Sequence, residues 1–256
     1  FFESEDSRSV PSGVRVFNWL LALLLLTALF TVSFRQLTYH WNWGAVYQYR
    51  LKFVYGWAAT ILISLASLVV SAAIGLIFAF ARRSGILVLR ALAKLYVEII
   101  RGTPLLVQIL IFFYVIAEAV RIDNRYVVGV LTLAFFHGAY ISEVIRAGIE
   151  SVGKSQLESA RAVGFTQMQI YRYVIFPQAL RQMLPPLAGQ FASLIKDSSL
   201  LSIIGIGELT LNAREVSAFA ASSFESYLPL ALGYLVLTLP ISLWTRWLEE
   251  RNRYET

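Results

Sequence analysis

Residues 153–180 read GKSQLESARAVGFTQMQIYRYVIFPQAL, the longest polar-rich stretch between two apolar runs of the chain. Ser155 and Glu158 stand at capping-box spacing, where a hydroxyl and a carboxylate each satisfy a free backbone N–H at a helix start. Gly164 follows the small residues Ala160, Ala162 and Val163, where glycine best ends a helix in the left-handed conformation. Thr166 and Gln169 form a second capping-box pair, and Phe165 and Ile170 have the spacing of a hydrophobic staple across it. Two helix starts with one stop between them predict two short helices and a tight turn. The stretch is a rigid elbow, shaped to be gripped.

The surroundings of the elbow are apolar. Of 256 residues, 57% are hydrophobic and 15% charged, too apolar for a water-soluble domain and in line with uncharged runs of membrane-spanning length. The absence of cysteine excludes disulfides, thiolate metal sites and a cysteine nucleophile. With only two histidines, His40 and His137, a zinc site has too few ligands to be expected, and no metal site is assigned. The net charge of +6 is read as membrane topology rather than nucleic-acid binding. The chain opens on Phe1 rather than methionine, so its natural start is expected upstream; the acidic opening is unlike the basic start of a signal peptide.

Outward from the elbow, the sequence predicts about six spans. A polar tail (1–15) precedes a first uncharged span (16–34). An aromatic, polar linker (35–52) follows and is expected to lie on the outer surface, with Trp41, Trp43, Tyr47 and Tyr49 at the interface. The second span (53–81) carries Ser67, Ser71, Gly75 and Ala79 every four residues, a small-residue stripe that lets another helix approach closely. Residues 86–101 place Arg90, Lys94, Glu98 and Arg101 on one face, an amphipathic helix at the inner interface with Lys94 and Glu98 able to pair. Gly102-Thr103-Pro104 breaks that helix and is a candidate gate or hinge. Further spans are expected at 105–117, 126–145, 185–206 (opened by Pro185-Pro186) and 228–247, with a small polar outer segment at 208–226. Fifteen lysines and arginines then fall inside and six outside, which puts the elbow and both termini in the cytoplasm.

Glu158, Ser159, Ala160, Gly164, Val174, Phe176 and Pro177 fall at the spacing of the EAA loop, and the segment resembles that hallmark of permease subunits of ATP-binding-cassette importers. Ser159 replaces the first alanine of the motif and Phe176 a leucine. Tyr96, Glu98 and Arg101-Gly102-Thr103-Pro104-Leu105-Leu106-Val107-Gln108 resemble the polar amino-acid branch of the family, as do Glu143, Lys196-Asp197-Ser198-Ser199 and Glu208-Leu209-Thr210. The resemblance covers about residues 56–247. It implies an all-α membrane protein with the transmembrane fold of a type I importer (MetI-like), comprising a permease core at 53–250 with its cytoplasmic coupling loop at 153–180. The extra N-terminal helix and its outer linker at 16–52 are additional to the shortest relatives. The resemblance further implies two ATPase subunits per complex that bind ATP and Mg, a second permease copy or paralogue, an extracytoplasmic amino-acid-binding protein, and a bacterial inner-membrane location. Glu158, Ser159, Ala160, Gly164, Phe165 and Pro177 are then the residues expected to meet the ATPase.

Gly148 to Ser155 match the phosphate-loop pattern GxxxxGKS, but a membrane helix rather than a buried strand precedes the match, so it is read as coincidence and no cofactor is assigned to this chain. Lys196 and Asp197 sit in an expected span, and Gln190 shares a helical face with Asp197. Either Gln190 and Asp197 line a passage for an amino-acid zwitterion, or Lys196 or Asp197 pairs with Glu98, Glu143 or Arg146. His137 either lines the passage or is a hydrogen-bonded core histidine, and Glu143 is a further pathway candidate. Glu98 and Arg101 are expected to pair with each other or with the elbow. The reading that unites these features is an ATP-driven amino-acid importer permease working by alternating access. Its rivals are an ion-coupled secondary transporter, with Asp197 or Glu143 carrying the ion, and a membrane scaffold that moves nothing.

Overall fold

The computed structural model of the chain describes residues 12–35, 39 and 41–252. Expectations for the tail through residue 11, for linker residues 36–38 and 40, and for Arg253 lie outside the described residues. The chain divides into two units, Phe1–Trp41 and Asn42–Thr256. The first holds α1 (Ser12–Arg35), whose window Val16–Ser33 is apolar all round and has no buried face within its unit, as befits a helix solvated by lipid.

The second unit is all helical among the described residues. It runs through α2 (Trp43–Gln48), α3 (Arg50–Ala81), α4 (Leu87–Gly102) and α5 (Leu105–Ala119), which widens into a π turn at Phe112–Ile116. Next come α6 (Arg125–Glu150), capped by the Asn124 side chain, and α7 (Lys154–Ala162). α8 (Phe176–Asp197) is entered without a break from Gln167–Gln169 through a π turn at Ile170–Ile175. A 3-10 helix (Ser198–Ile204), α9 (Leu209–Ala220) and α10 (Ser223–Asn252) complete the unit.

The small-residue stripe of α3 does what its composition dictates. Ser67, Ser71, Gly75 and Ala79 are all buried. A Cβ on Gly75 would lie 2.5 Å from Ile141 Cγ2, and one on Gly138 of α6 would lie 2.6 Å from Ile74 Cγ2. The two backbones therefore meet glycine to isoleucine in both directions, so α3 and α6 form the densest pair of the bundle.

Four helices are long and apolar enough to cross a membrane among the described residues, and five if α4 and α5, bent by 111° at their break, are taken as one broken span. The expectation of about six counted the helix now seen as α8. Its 22 residues would reach about 33 Å, but Arg181 and the glutamines Gln178, Gln182 and Gln190 make it too polar to meet the same test. Three other expectations change. Pro185-Pro186 do not open a span but lie inside α8, where neighbouring groups tolerate the lost N–H. The second elbow helix is not short, because it continues as α8. The outer segment at 208–226 is a docked helix, with Leu209, Ala213 and Val216 buried at helical spacing.

Candidate functional site

The elbow is built by its turn residues. α7 ends at Gly164, whose φ of +84° places it in the left-handed region. Gly164 N–H donates to Arg161 O at 3.0 Å and Phe165 N–H to Ala160 O at 3.1 Å, the paired bonds of a Schellman stop. The next start is the expected capping box: Thr166 N–H donates to Gln169 Oε1 at 2.8 Å and Gln169 N–H to Thr166 Oγ1 at 3.4 Å. The first box is not formed. α7 starts two residues early, so Gly153 takes the cap position and Ser155 lies past the place from which a hydroxyl reaches the third amide.

The elbow has two unlike sides. Ala160, Ile170 and Ile175 are buried in one core with Ala79 of α3, Ile141 and Ile145 of α6, and Ala179 and Met183 of α8. Gly148 of α6 admits Met183 so closely that a Cβ would lie 2.3 Å from its Cγ. On the other side Glu158, Ser159, Gly164, Phe165 and Pro177 are exposed. Phe165 stands edge-on to Tyr173. The elbow's buried side thus packs on α3, α6 and α8.

A second constellation lies within the bundle. His137 of α6 is buried, with Nδ1 3.4 Å from Gln190 Oε1 and Nε2 3.3 Å from Asp197 Oδ2, the latter without hydrogen-bond alignment. Gln190 and Asp197 both come from α8, seven residues apart on one face. This corrects the expected partners of Asp197, which meets His137 and not Glu98, Glu143 or Arg146. Lys196 and Asp197 are the last two residues of α8, at its junction with the 3-10 helix, and Lys196 is exposed.

Glu143 is not part of that group. It is six residues, or about 9 Å of helix rise, beyond His137 on the elbow side of α6. There it pairs with Arg82, which caps the end of α3, and with Arg146 of its own helix, and at 4.0 Å with Arg101 of α4. Arg146 also bridges Glu150. Glu98 pairs with Lys94 at 3.6 Å, so the expected Glu98–Arg101 pair gives way to two others. The ends of three helices are thus tied at one carboxylate.

Gly102-Thr103-Pro104 forms the 111° corner between α4 and α5. The corner is braced by a residue whose role the sequence did not disclose. Gln108 Nε2 donates to Ile100 O at 2.7 Å and to Thr103 Oγ1 at 2.8 Å, and Thr103 Oγ1 donates to Ile99 O at 2.8 Å. The available signal was a lone amide in an apolar run just after a helix break, where free carbonyls need donors. Glu208, part of the Glu208-Leu209-Thr210 match, likewise has a structural role that its local sequence does not disclose. Fully buried, it caps α9 by accepting from Thr210 N and Leu211 N at 2.8 Å each and receives the Tyr234 hydroxyl. Burial pushes its carboxyl above the ordinary carboxylate range, against the opposing pull of those hydrogen bonds.

The GxxxxGKS match has no phosphate cradle. Gly148–Glu150 are the last turn of α6, and Ser151 N–H is already used by Ala147 O. No cluster of metal-ligating side chains occurs among the described residues.

A helical membrane bundle with an exposed, core-anchored elbow and no nucleotide site of its own is the architecture of a transporter's membrane permease domain. Residues 71–254 match the family described as the binding-protein-dependent transport system inner membrane component, and the chain belongs to that family. It is 36% identical over 215 residues to the glutamine transport system permease protein GlnP of Escherichia coli (strain K12), covering 83% of this chain and 98% of the relative. It is 39% identical over 197 residues to the probable glutamine ABC transporter permease protein GlnM of Bacillus subtilis (strain 168), covering 77% and 91%. A chain from the crystal structure of an amino acid ABC transporter with histidines superposes at a TM-score of 0.77 with 34% identity, covering 83% of this chain and all of that one. A chain of the inward-facing MetNI methionine ABC transporter shares the fold, with a TM-score of 0.66 at 17% identity over 80% and 98% of the two chains. The protein is accordingly a multi-pass inner-membrane permease whose ATPase is a separate subunit and whose solute is delivered by a binding protein.

Proposed function

We propose that this permease carries neutral polar amino acids, with glutamine the leading candidate, and that ATP drives it through the elbow at 153–180. The observation that carries the coupling reading is the two-sided elbow: a Schellman stop and capping box fix its shape, one face is locked into the bundle core, and the other is exposed for an ATPase groove. The termini and the elbow lie in the cytoplasm by the positive-inside bias. A second permease, copy or paralogue, completes the passage, and the corner at Gly102-Thr103-Pro104 orients α5 within it.

For substrate, the His137–Gln190–Asp197 group offers a carboxylate for an ammonium, and an amide and an imidazole for a side-chain amide or carboxylate. The names of the relatives at 36% and 39% identity support glutamine. Lys196, exposed beside the group, would suit an acidic substrate instead. The test is uptake into proteoliposomes holding the permease, its ATPase and ATP, with binding protein outside. Labelled glutamine should enter only with ATP, and unlabelled glutamine should compete better than glutamate or arginine. Gln190→Leu and Asp197→Asn should each lower uptake at least about tenfold while basal ATP hydrolysis persists, in line with ~1.4 kcal/mol or more for a charge-assisted contact. Uptake that follows an ion gradient without ATP would refute the proposal.

A further inference from the structure

An apolar groove of about 1290 Å³ opens between α3, α6 and α8 on the elbow side of the bundle. That exceeds the ~300–1,000 Å³ usual for small-molecule pockets. Its wall on α3 is Leu68, Ala72, Leu76 and Phe80, one residue per turn. Ile141, Ile145 and Ile149 line it from α6, and Met183 and Leu187 from α8. At one end the lining changes to Arg83, Ser84, Tyr171 and Arg172. Arg83 donates one N–H to the Tyr171 hydroxyl at 3.0 Å, and Arg172 lies 5.8 Å from the Tyr173 ring. Among the described residues no carboxylate pairs with either arginine, in contrast to Arg82 and Arg146, which both hold Glu143.

We propose that this groove is a binding site for one anionic glycerophospholipid of the leaflet on the elbow's side. Length separates this occupant from a protein helix. Leu68 to Phe80 spans twelve residues, about 18 Å, which is close to the hydrocarbon depth of a single leaflet, about half of ~30 Å. A spanning helix from a second copy would need a groove about twice as long. Charge selects the headgroup: two guanidinium groups without a carboxylate, flanked by hydroxyls, suit a phosphate diester, which arginine can grip with paired N–H donors. Basic pockets between membrane helices at the headgroup level hold anionic lipids for the same reason. One of its walls is the π turn that leads out of the elbow, so the lipid packs against the coupling segment itself.

The test uses the permease purified with its ATPase subunits in mild detergent, with lipid retention read by native mass spectrometry. Dioleoylphosphatidylglycerol should bind about 30-fold more tightly than dioleoylphosphatidylcholine, at about fivefold per basic side chain. The Arg83→Gln/Arg172→Gln variant should lose that preference. Because the chain has no cysteine, Leu76→Cys can be labelled with a bulky maleimide after folding, which should block both lipids without disturbing assembly. Equal binding of the two lipids, an unchanged preference in the double variant, or competition by inorganic phosphate would overturn the proposal. So would an efficient disulfide between two copies at Leu76→Cys, because the second permease would then fill the groove.

Discussion

Gly164→Val isolates the elbow's turn. The position has φ +84°, and a Cβ built there meets nothing within 4 Å, so crowding contributes nothing to the effect. What remains is the backbone: a left-handed residue with a side chain costs ~1–2 kcal/mol, and β-branching places valine at the upper end. That energy weakens the Schellman bonds of Gly164 and Phe165 and shifts the elbow toward other shapes by roughly 5- to 30-fold. The global fold keeps its core, since Ala160, Ile170 and Ile175 are untouched. The assay is paired measurement of solute uptake and ATP hydrolysis in proteoliposomes. Gly164→Val should lower the ratio of solute moved to ATP hydrolysed by about the same factor. Gly164→Asn, which tolerates the left-handed region, should retain most of it. Full coupling in the valine variant would refute the reasoning. So would asparagine failing as badly as valine, because the surface of the elbow and not its backbone would then be at fault.

Other variants probe the supports of the site. Gly75→Ala should destabilise the α3–α6 pair by ~1–3 kcal/mol through overpacking, and adding Ile141→Ala should recover part of the loss in thermal unfolding of the detergent-solubilised protein. Gln108→Ala should leave the carbonyl of Ile100 without its side-chain donor and cost ~1–3 kcal/mol, read by the same melt. Glu208→Ala should cost a similar amount by stranding the amides of Thr210 and Leu211. Because burial raises the Glu208 carboxyl above its ordinary 4.5, its contribution is present below that pH and is lost as pH rises through the raised value. The melting temperature should fall over that window in the native protein, and Glu208→Gln should flatten the fall.

Much of the fold was legible because it rests on local rules. The helix stop at Gly164, the capping box at Thr166 and the α3 stripe each follow from a few neighbouring residues, and each appears in the structure. The errors have physical causes as well. Ser155 had the right spacing, yet Lys154 entered the helix first. Pro185-Pro186 resembled a helix start because proline suits the first turn, whereas the π turn had already carried the chain into α8. The segment after Glu208 was expected only as small and polar, because its serines and alanines masked the helical spacing of Leu209, Ala213 and Val216. The partners of Asp197 and Glu143 could not be read at all. Apart from Arg146, three residues on from Glu143, they lie on other elements, up to 61 residues away, and only the crossing of α6 with α3 and α8 chooses among the available charges.

The coupling claim is tested most directly by what travels with the chain. Tagged permease should be taken from its native membrane in mild detergent and its companions counted by quantitative mass spectrometry. The account predicts one ATPase subunit per permease chain, lost when Phe165→Asp is introduced on the exposed face of the elbow while the bundle stays folded. A permease that elutes alone under several gentle conditions, or an ATPase that stays bound when that face is charged, would contradict it.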